Sequence, residues 1–113
     1  MRNRVVTRRA TAAGDLYQAI ADPTRRSLLD RLRGGSVAAG ELAAGFRISR
    51  PAISRHLAVL RRAGLVREER QGRNRLYQLT PASLREVADW ATRYRDFWQH
   101  NLEASKRHLE EER

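Results

Sequence analysis

Apolar positions recur at helical spacing through the first two thirds of the chain and then switch to alternation. Leu16, Ala19 and Ile20 predict a short first helix over 13–21. Asp22-Pro23 stops it and opens a second helix, because Asp22 can accept from free backbone N–H groups and Pro23 has no N–H to leave unpaired. Leu28, Leu29 and Leu32 mark the buried face of that helix, and Gly34-Gly35 end it. A third, short helix is expected over 36–46, with Val37, Leu42 and Phe46 facing the core. Arg47-Ile48-Ser49 forms the turn, and Ser49 caps a fourth helix with Pro51 in its first turn. Ile53, Leu57 and Leu60 give the fourth helix one apolar stripe, and Gly64 closes it. Two short helices joined by a tight turn, the second well capped, form a helix-turn-helix pattern.

After Gly64 the period becomes two. Residues 65–70 and 75–79 read as short strands around a Gly-containing turn at Gln71-Gly72-Arg73-Asn74, a hairpin placed where a wing would be. Thr80-Pro81 repeats the cap-plus-proline device and opens a helix running almost to Arg113, roughly 45 Å long. The expected fold is therefore mostly α with a two-stranded β-hairpin wing. Its divisions are a basic N-terminal arm at 1–12, a winged helix-turn-helix domain at 13–80 and a C-terminal helix at 81–113.

Composition narrows the function. The 113 residues suffice for one compact domain, and 41% hydrophobic content supports a real core beside 32% charged residues. Lys and Arg number 23 against 13 Asp and Glu, a net charge of +10 that fits a polyanion binder, although basic charge also serves solubility. All but one of the basic residues are arginine, Lys106 being the exception. The bias extends through stretches with no obvious partner, so position matters more than number. Cysteine is absent, which removes disulfides, thiolate metal sites and thiol redox sensing. No apolar run approaches a membrane span and no secretory signal is present, so a cytoplasmic location without membrane association is expected.

The face of the fourth helix opposite its apolar stripe presents Pro51, Ser54, Arg55, Ala58 and Arg62, with Arg50 and Arg61 flanking. Small residues there permit close approach to a groove, and arginines reach base edges or phosphates. Arg55 is the first choice for a guanine contact and Arg50 the second, while Ser49 and Ser54 offer hydroxyls to phosphate or base. His56 lies beside the core stripe as an interior hydrogen-bonding residue or a DNA-backbone contact. Arg70, Arg73 and Arg75 surround Gly72 at the hairpin tip, suited to the electronegative minor groove.

These residues resemble the ArsR family of bacterial repressors. The resemblance rests on Ala21-Asp22-Pro23-Thr24-Arg25-Arg26, on Gly40-Glu41-Leu42-Ala43, on the unbroken run from Ser49 to Val66 that contains Ser54-Arg55-His56-Leu57, and on Gly72-Arg73-Asn74-Arg75-Leu76-Tyr77. It implies a homodimer, a recognition helix at 49–63, a wing at 65–79 and repression at a palindromic operator. Many such proteins sense metals through cysteines just ahead of the third helix, but here Val37-Ala38-Ala39-Gly40 offers no donor. The zinc sensors' His-x-x-Glu has an echo in His108 and Glu111. His100 and His108, about 12 Å apart along one helix, cannot share a metal within a chain, which leaves a cross-subunit site as the alternative. The expectation is therefore the non-metal branch, with no metal and no cofactor. Family members often carry glycine where this chain has Arg47, so a left-handed residue there would be strained.

On the last helix Trp90, Tyr94, Phe97 and Trp98 recur at three- and four-residue steps, continued by Leu102 and Leu109. A domain this small has little body to cover such a stripe, which points to a dimer interface shared with Leu16, Tyr17 and Ile20 of the first helix. The alternative is that the stripe folds onto its own domain. No catalytic residues are expected: phosphate loop, nucleophile–His pair and metal cluster are all missing. A basic RNA-binding protein would carry its aromatics on an exposed sheet rather than on a helix. A pure protein–protein adaptor would not need the arginine-rich helix face and wing.

Overall fold

The computed structural model describes residues 15–111. The basic arm expected over 1–12 lies outside the described residues, as does the start of the first helix. Residues 15–20 are helical (α1), followed by α2 (Pro23–Arg31), β1 (Val37–Ala38), α3 (Ala39–Ala43), α4 (Arg50–Arg62), β2 (Val66–Gln71), β3 (Asn74–Leu79) and α5 (Pro81–Glu111). Two compact units divide between residues 83 and 84.

In the first unit, helix boundaries follow from local chemistry. The Asp22 carboxylate accepts from the backbone N–H of Arg25 at 3.0 Å, capping α2. The Ser49 hydroxyl accepts from Ala52 N–H at 3.2 Å and caps α4 in the same way. At the other end of α4, Leu65 N–H reaches Leu60 O and Gly64 N–H reaches Arg61 O, the paired bonds of a Schellman stop. Leu65 is thereby dropped into the core. Leu16 and Ala19 of α1, Leu28, Leu29 and Leu32, Leu42 of α3, and Ile53, Leu57 and Leu60 of α4 form that core with Leu65, Val66 and Tyr77. Of the third-helix positions only Leu42 is fully buried; Val37 and Phe46 are half-buried.

Three local expectations are corrected. The third helix does not start at Ser36. Val37 and Ala38 instead pair antiparallel with Tyr77 and Leu76, making a three-stranded sheet in the order β1-β3-β2. The free edge of β3 supplies backbone partners that a β-branched residue accepts readily, and Ser36 reinforces the pairing by donating to Gln78 Oε1 at 3.2 Å. Thr80 is not a side-chain cap for α5. Its Oγ1 is buried without a hydrogen-bond partner, while its backbone N–H donates to Leu65 O at 2.9 Å. Strain at Arg47 is absent as well: no described non-glycine residue has positive φ, and the left-handed step of the corner falls on Gly45 at φ 86°.

The hairpin forms as expected. Gln71 pairs with Asn74 across a two-residue loop, with Gly72 at φ 61° and Arg73 at negative φ, the pattern of a II′ turn. Helix α5 runs 31 residues, beginning at the end of the first unit and making up the described part of the second, and none of them is buried.

Leu60 sits at the centre of the first unit with no exposed surface. Leu60→Ala is expected to destabilise the fold by roughly 2–5 kcal/mol, seen as a lower urea midpoint at unchanged slope. A loss below about 1 kcal/mol would place the core elsewhere.

Candidate nucleic-acid interface

With Ile53, Leu57 and Leu60 held in the core, α4 turns Arg50, Pro51, Ser54 and Arg55 outward, and all four are exposed. Arg55 has no described hydrogen bond or ion pair that would tether it. Arg50 and Ser54 border a recess of about 150 Å³ with Gly40 of α3 and Arg75 and Tyr77 of β3. The front half of α4 and strand β3 of the hairpin therefore form one surface. Arg62 lies two turns beyond Arg55, donating to Ala58 O at 3.5 Å and bordering a different recess with Asp15, Gln18 and Arg25.

The hairpin concentrates positive charge. Arg70 and Arg75 stand directly opposite one another across β2 and β3, and Arg73 follows Gly72 at the exposed tip. Like charges in a cross-strand pair are unfavourable unless an anion lies nearby. Part of that anion is internal. Glu68 accepts from Arg61 at 2.9 Å, lies 3.5 Å from Arg75 Nε, and faces Tyr77 Oη at 3.5 Å. Burial, with the Glu68 carboxylate beside it, pushes the Tyr77 phenol above its ordinary value, so it stays a donor. Arg61 and Arg75 are thus shared between an internal carboxylate and the outer surface, whereas Arg55 and Arg73 are not.

Three further arginine- or carboxylate-centred contacts fix this surface and were not expected from the sequence. Arg31 donates to Leu42 O at 2.8 Å and to Ala44 O, and its guanidinium lies 4.1 Å from the centre of the Phe46 ring. It therefore ties the end of α3 and the corner to α2. Arg25 bonds the last carbonyls of α1 and the imidazole of His56, which is half-buried and turned toward the start of α2. Glu68 is the third. Its signal was present in the strand parity, since it shares the inward face of β2 with Val66 and stands opposite Tyr77. Of the residues assigned to the dimer, Leu16 is buried within its own chain, whereas Tyr17 and Ile20 are half-buried. Trp90, Tyr94, Phe97, Trp98, Leu102 and Leu109 are 46–65% exposed on α5, with the Trp90 and Tyr94 rings 5.1 Å apart.

Residues 20–69 match a family model described as a helix-turn-helix domain. The transcriptional repressor SdpR of Bacillus subtilis (strain 168) is 41% identical over 76 residues, covering 67% of this chain and 84% of that repressor. The HTH-type transcriptional regulator Rv2034 of Mycobacterium tuberculosis is 50% identical over 68 residues, 60% of this chain and 64% of that regulator. A crystal structure of an ArsR family transcriptional regulator aligns at a TM-score of 0.69 and 32% identity, over 78% of this chain and 97% of that one. The chain belongs to the ArsR family.

ArsR-family membership accounts for the geometry already described: a capped helix presenting arginine and small residues beside a basic hairpin. The relatives that match are named as transcriptional regulators and repressors, not as enzymes. Among the described residues no three His, Cys, Asp or Glu side chains are grouped to hold a metal ion, and no helix is long and apolar enough to cross a membrane.

Removing the internal anion should strengthen generic DNA binding. Glu68→Gln frees Arg61 and Arg75 for phosphate, so affinity for random-sequence duplex is expected to rise and the salt slope to steepen by roughly one to two. Fluorescence anisotropy across a salt series reads both, and an unchanged slope would mean these arginines never reach the backbone.

Proposed function

We propose that this chain is a homodimeric repressor that occupies a two-fold symmetric operator, including one at its own gene, without a resident metal. The carrying observation is the outward face of α4, where Pro51, Ser54 and Arg55 stand exposed on a helix fixed by the core. A helix diameter fits the major groove, and a guanidinium mid-face can make the two-pronged contact to guanine O6 and N7. Arg55 is assigned that contact, with Arg50 beside it at the start of the helix. Ser49 spends its acceptor on capping and keeps its proton for a phosphate, and Ser54 and Arg62 are assigned supporting contacts. Arg70, Arg73 and Arg75 of the hairpin meet phosphates or the minor groove.

The dimer is supported by the aromatic stripe of α5, since so large an exposed apolar surface on one chain is unusual for a monomer. Residues 81–113 are assigned to that interface, with Trp90, Tyr94, Phe97, Trp98 and Leu102 at its centre and Tyr17 and Ile20 of α1 contributing. Leu16 supports them from within the core. The reading without metal is supported by the donor-free stretch Val37-Ala38-Ala39-Gly40 ahead of Glu41. Operator binding places the site of action in the cytoplasm.

Trp98→Ala is expected to yield monomers at micromolar concentration, because removing a buried aromatic at an interface centre typically costs a few kcal/mol. Sedimentation showing an unchanged dimer would move the interface off this stripe.

Arg55 and Arg73 are expected to do different work. A duplex selected by the wild-type protein from a random pool, a mutated version of it and a random duplex separate them. Arg55→Ala should lose discrimination at one position per half-site, by roughly 1–3 kcal/mol. Arg73→Ala should weaken all three duplexes by similar factors and lower the salt slope by about one. If Arg55→Ala lowers all three equally, α4 does not read bases through Arg55.

A further inference from the structure

Arg25 spans three elements with one guanidinium. Its Nε donates to Ala19 O at 2.7 Å and a terminal nitrogen donates to Gln18 O at 3.1 Å, satisfying the last carbonyls of α1. The other terminal nitrogen lies 3.2 Å from Nδ1 of His56, on the buried side of α4. A guanidinium carries donors only, so Nδ1 has to be the acceptor. That requires a neutral imidazole with its proton on Nε2.

The same Nδ1 lies 3.9 Å from Asp22 Oδ2. Asp22 is held ionised: the backbone N–H of Arg25 bonded to it keeps its carboxyl below the usual carboxylate value. The charged groups facing the imidazole are thus Arg25 and Asp22 from the start of α2. Asp15 of α1 and Arg62 of α4 line a recess that Arg25 also borders. Adding a proton at Nδ1 removes the acceptor, sets two cations 3.2 Å apart and turns the ring's bond toward Asp22.

We propose that Arg25 is the positioning residue that ties α1 to the recognition helix, and that protonation of His56 releases this tie and lowers affinity for sequence-specific DNA. The proposal rests on α4 being the base-reading helix. Its sign follows from the chemistry: the tie exists only while Nδ1 keeps its lone pair, so a proton added there breaks it and lower pH works against it. Lower pH makes any protein more positive, which favours any polyanion, so the effect is read as a ratio between specific and random DNA.

The test uses the full chain labelled with ¹⁵N, together with the selected duplex and a random duplex, at about pH 7.5 and about pH 6. Nitrogen correlation spectra at the higher pH are expected to show His56 as the Nε2–H tautomer, a preference lost in Arg25→Met. The ratio of selected to random affinity should fall about fivefold or more at the lower pH in the wild type. In His56→Asn, whose amide oxygen can keep an acceptor without titrating, that ratio should stay flat whatever its absolute value. An Nδ1–H tautomer in the wild type, or a His56→Asn variant with the wild-type pH loss, overturns the proposal. If Arg25→Met does not fold, His56→Asn and the wild-type tautomer still decide it. A wild type that never discriminates between the duplexes refutes α4 as a base reader, an outcome distinct from a wrong tautomer.

Discussion

Burial of Ile53, Leu57 and Leu60 is the constraint on which the functional surface depends. A recognition helix must hold its outward face at a fixed angle, and that angle is set entirely by what the other face is packed against. Here the apolar stripe is anchored against α2 and β2, the start is closed by Ser49 and the end by the Leu65–Leu60 and Gly64–Arg61 bonds. Helix ends that fray would let the outward arginines wander. Capping at both ends fixes the helix before any DNA arrives, so less ordering has to be done on binding.

The second theme is the division of labour among arginines. Arg25 and Arg31 donate to backbone carbonyls at the ends of α1 and α3, and Arg26 does the same for Ile20 O. Arg61 and Arg75 answer to Glu68. Arg55 and Arg73 are among the described arginines that have no internal partner of this kind. The planar fork of five donors suits both tasks, since it can bracket two carbonyls as readily as a phosphate or a guanine edge. A high net charge therefore overstates the number of residues available to DNA.

Much of this was legible in the sequence, and the reasons are local. The Asp22 and Ser49 caps, the stop after Ala63 and the glycine-containing turn at Gly72 each depend on a few adjacent residues, so spacing and residue type suffice to place them. The β1 strand was not legible because Val37 and Ala38 gain their partners from Tyr77 and Leu76, some forty residues away, where no local pattern records them. Thr80 likewise has the residue type of a cap, and only the folded chain shows its Oγ1 buried without a hydrogen-bond partner. At the interface, helical periodicity exposed the outward face of α4 but said nothing of ion pairing. Spacing alone sets Arg62 on the face of Arg55 with Arg61 flanking, and Arg75 with Arg70 and Arg73 at the hairpin tip. Only the folded chain shows Arg61 and Arg75 beside Glu68 and Arg62 lining a recess with Asp15 and Gln18.

The central claim is that two copies of α4 enter successive major grooves on one face of a duplex. Methylation protection of guanine N7 on the selected duplex tests it most directly, because N7 lies on the major-groove edge. The account predicts two protected clusters related by two-fold symmetry, centred about one helical turn or a multiple of it apart, roughly 10 base pairs per turn. A single cluster, or uniform protection confined to the sugar–phosphate backbone, would contradict it.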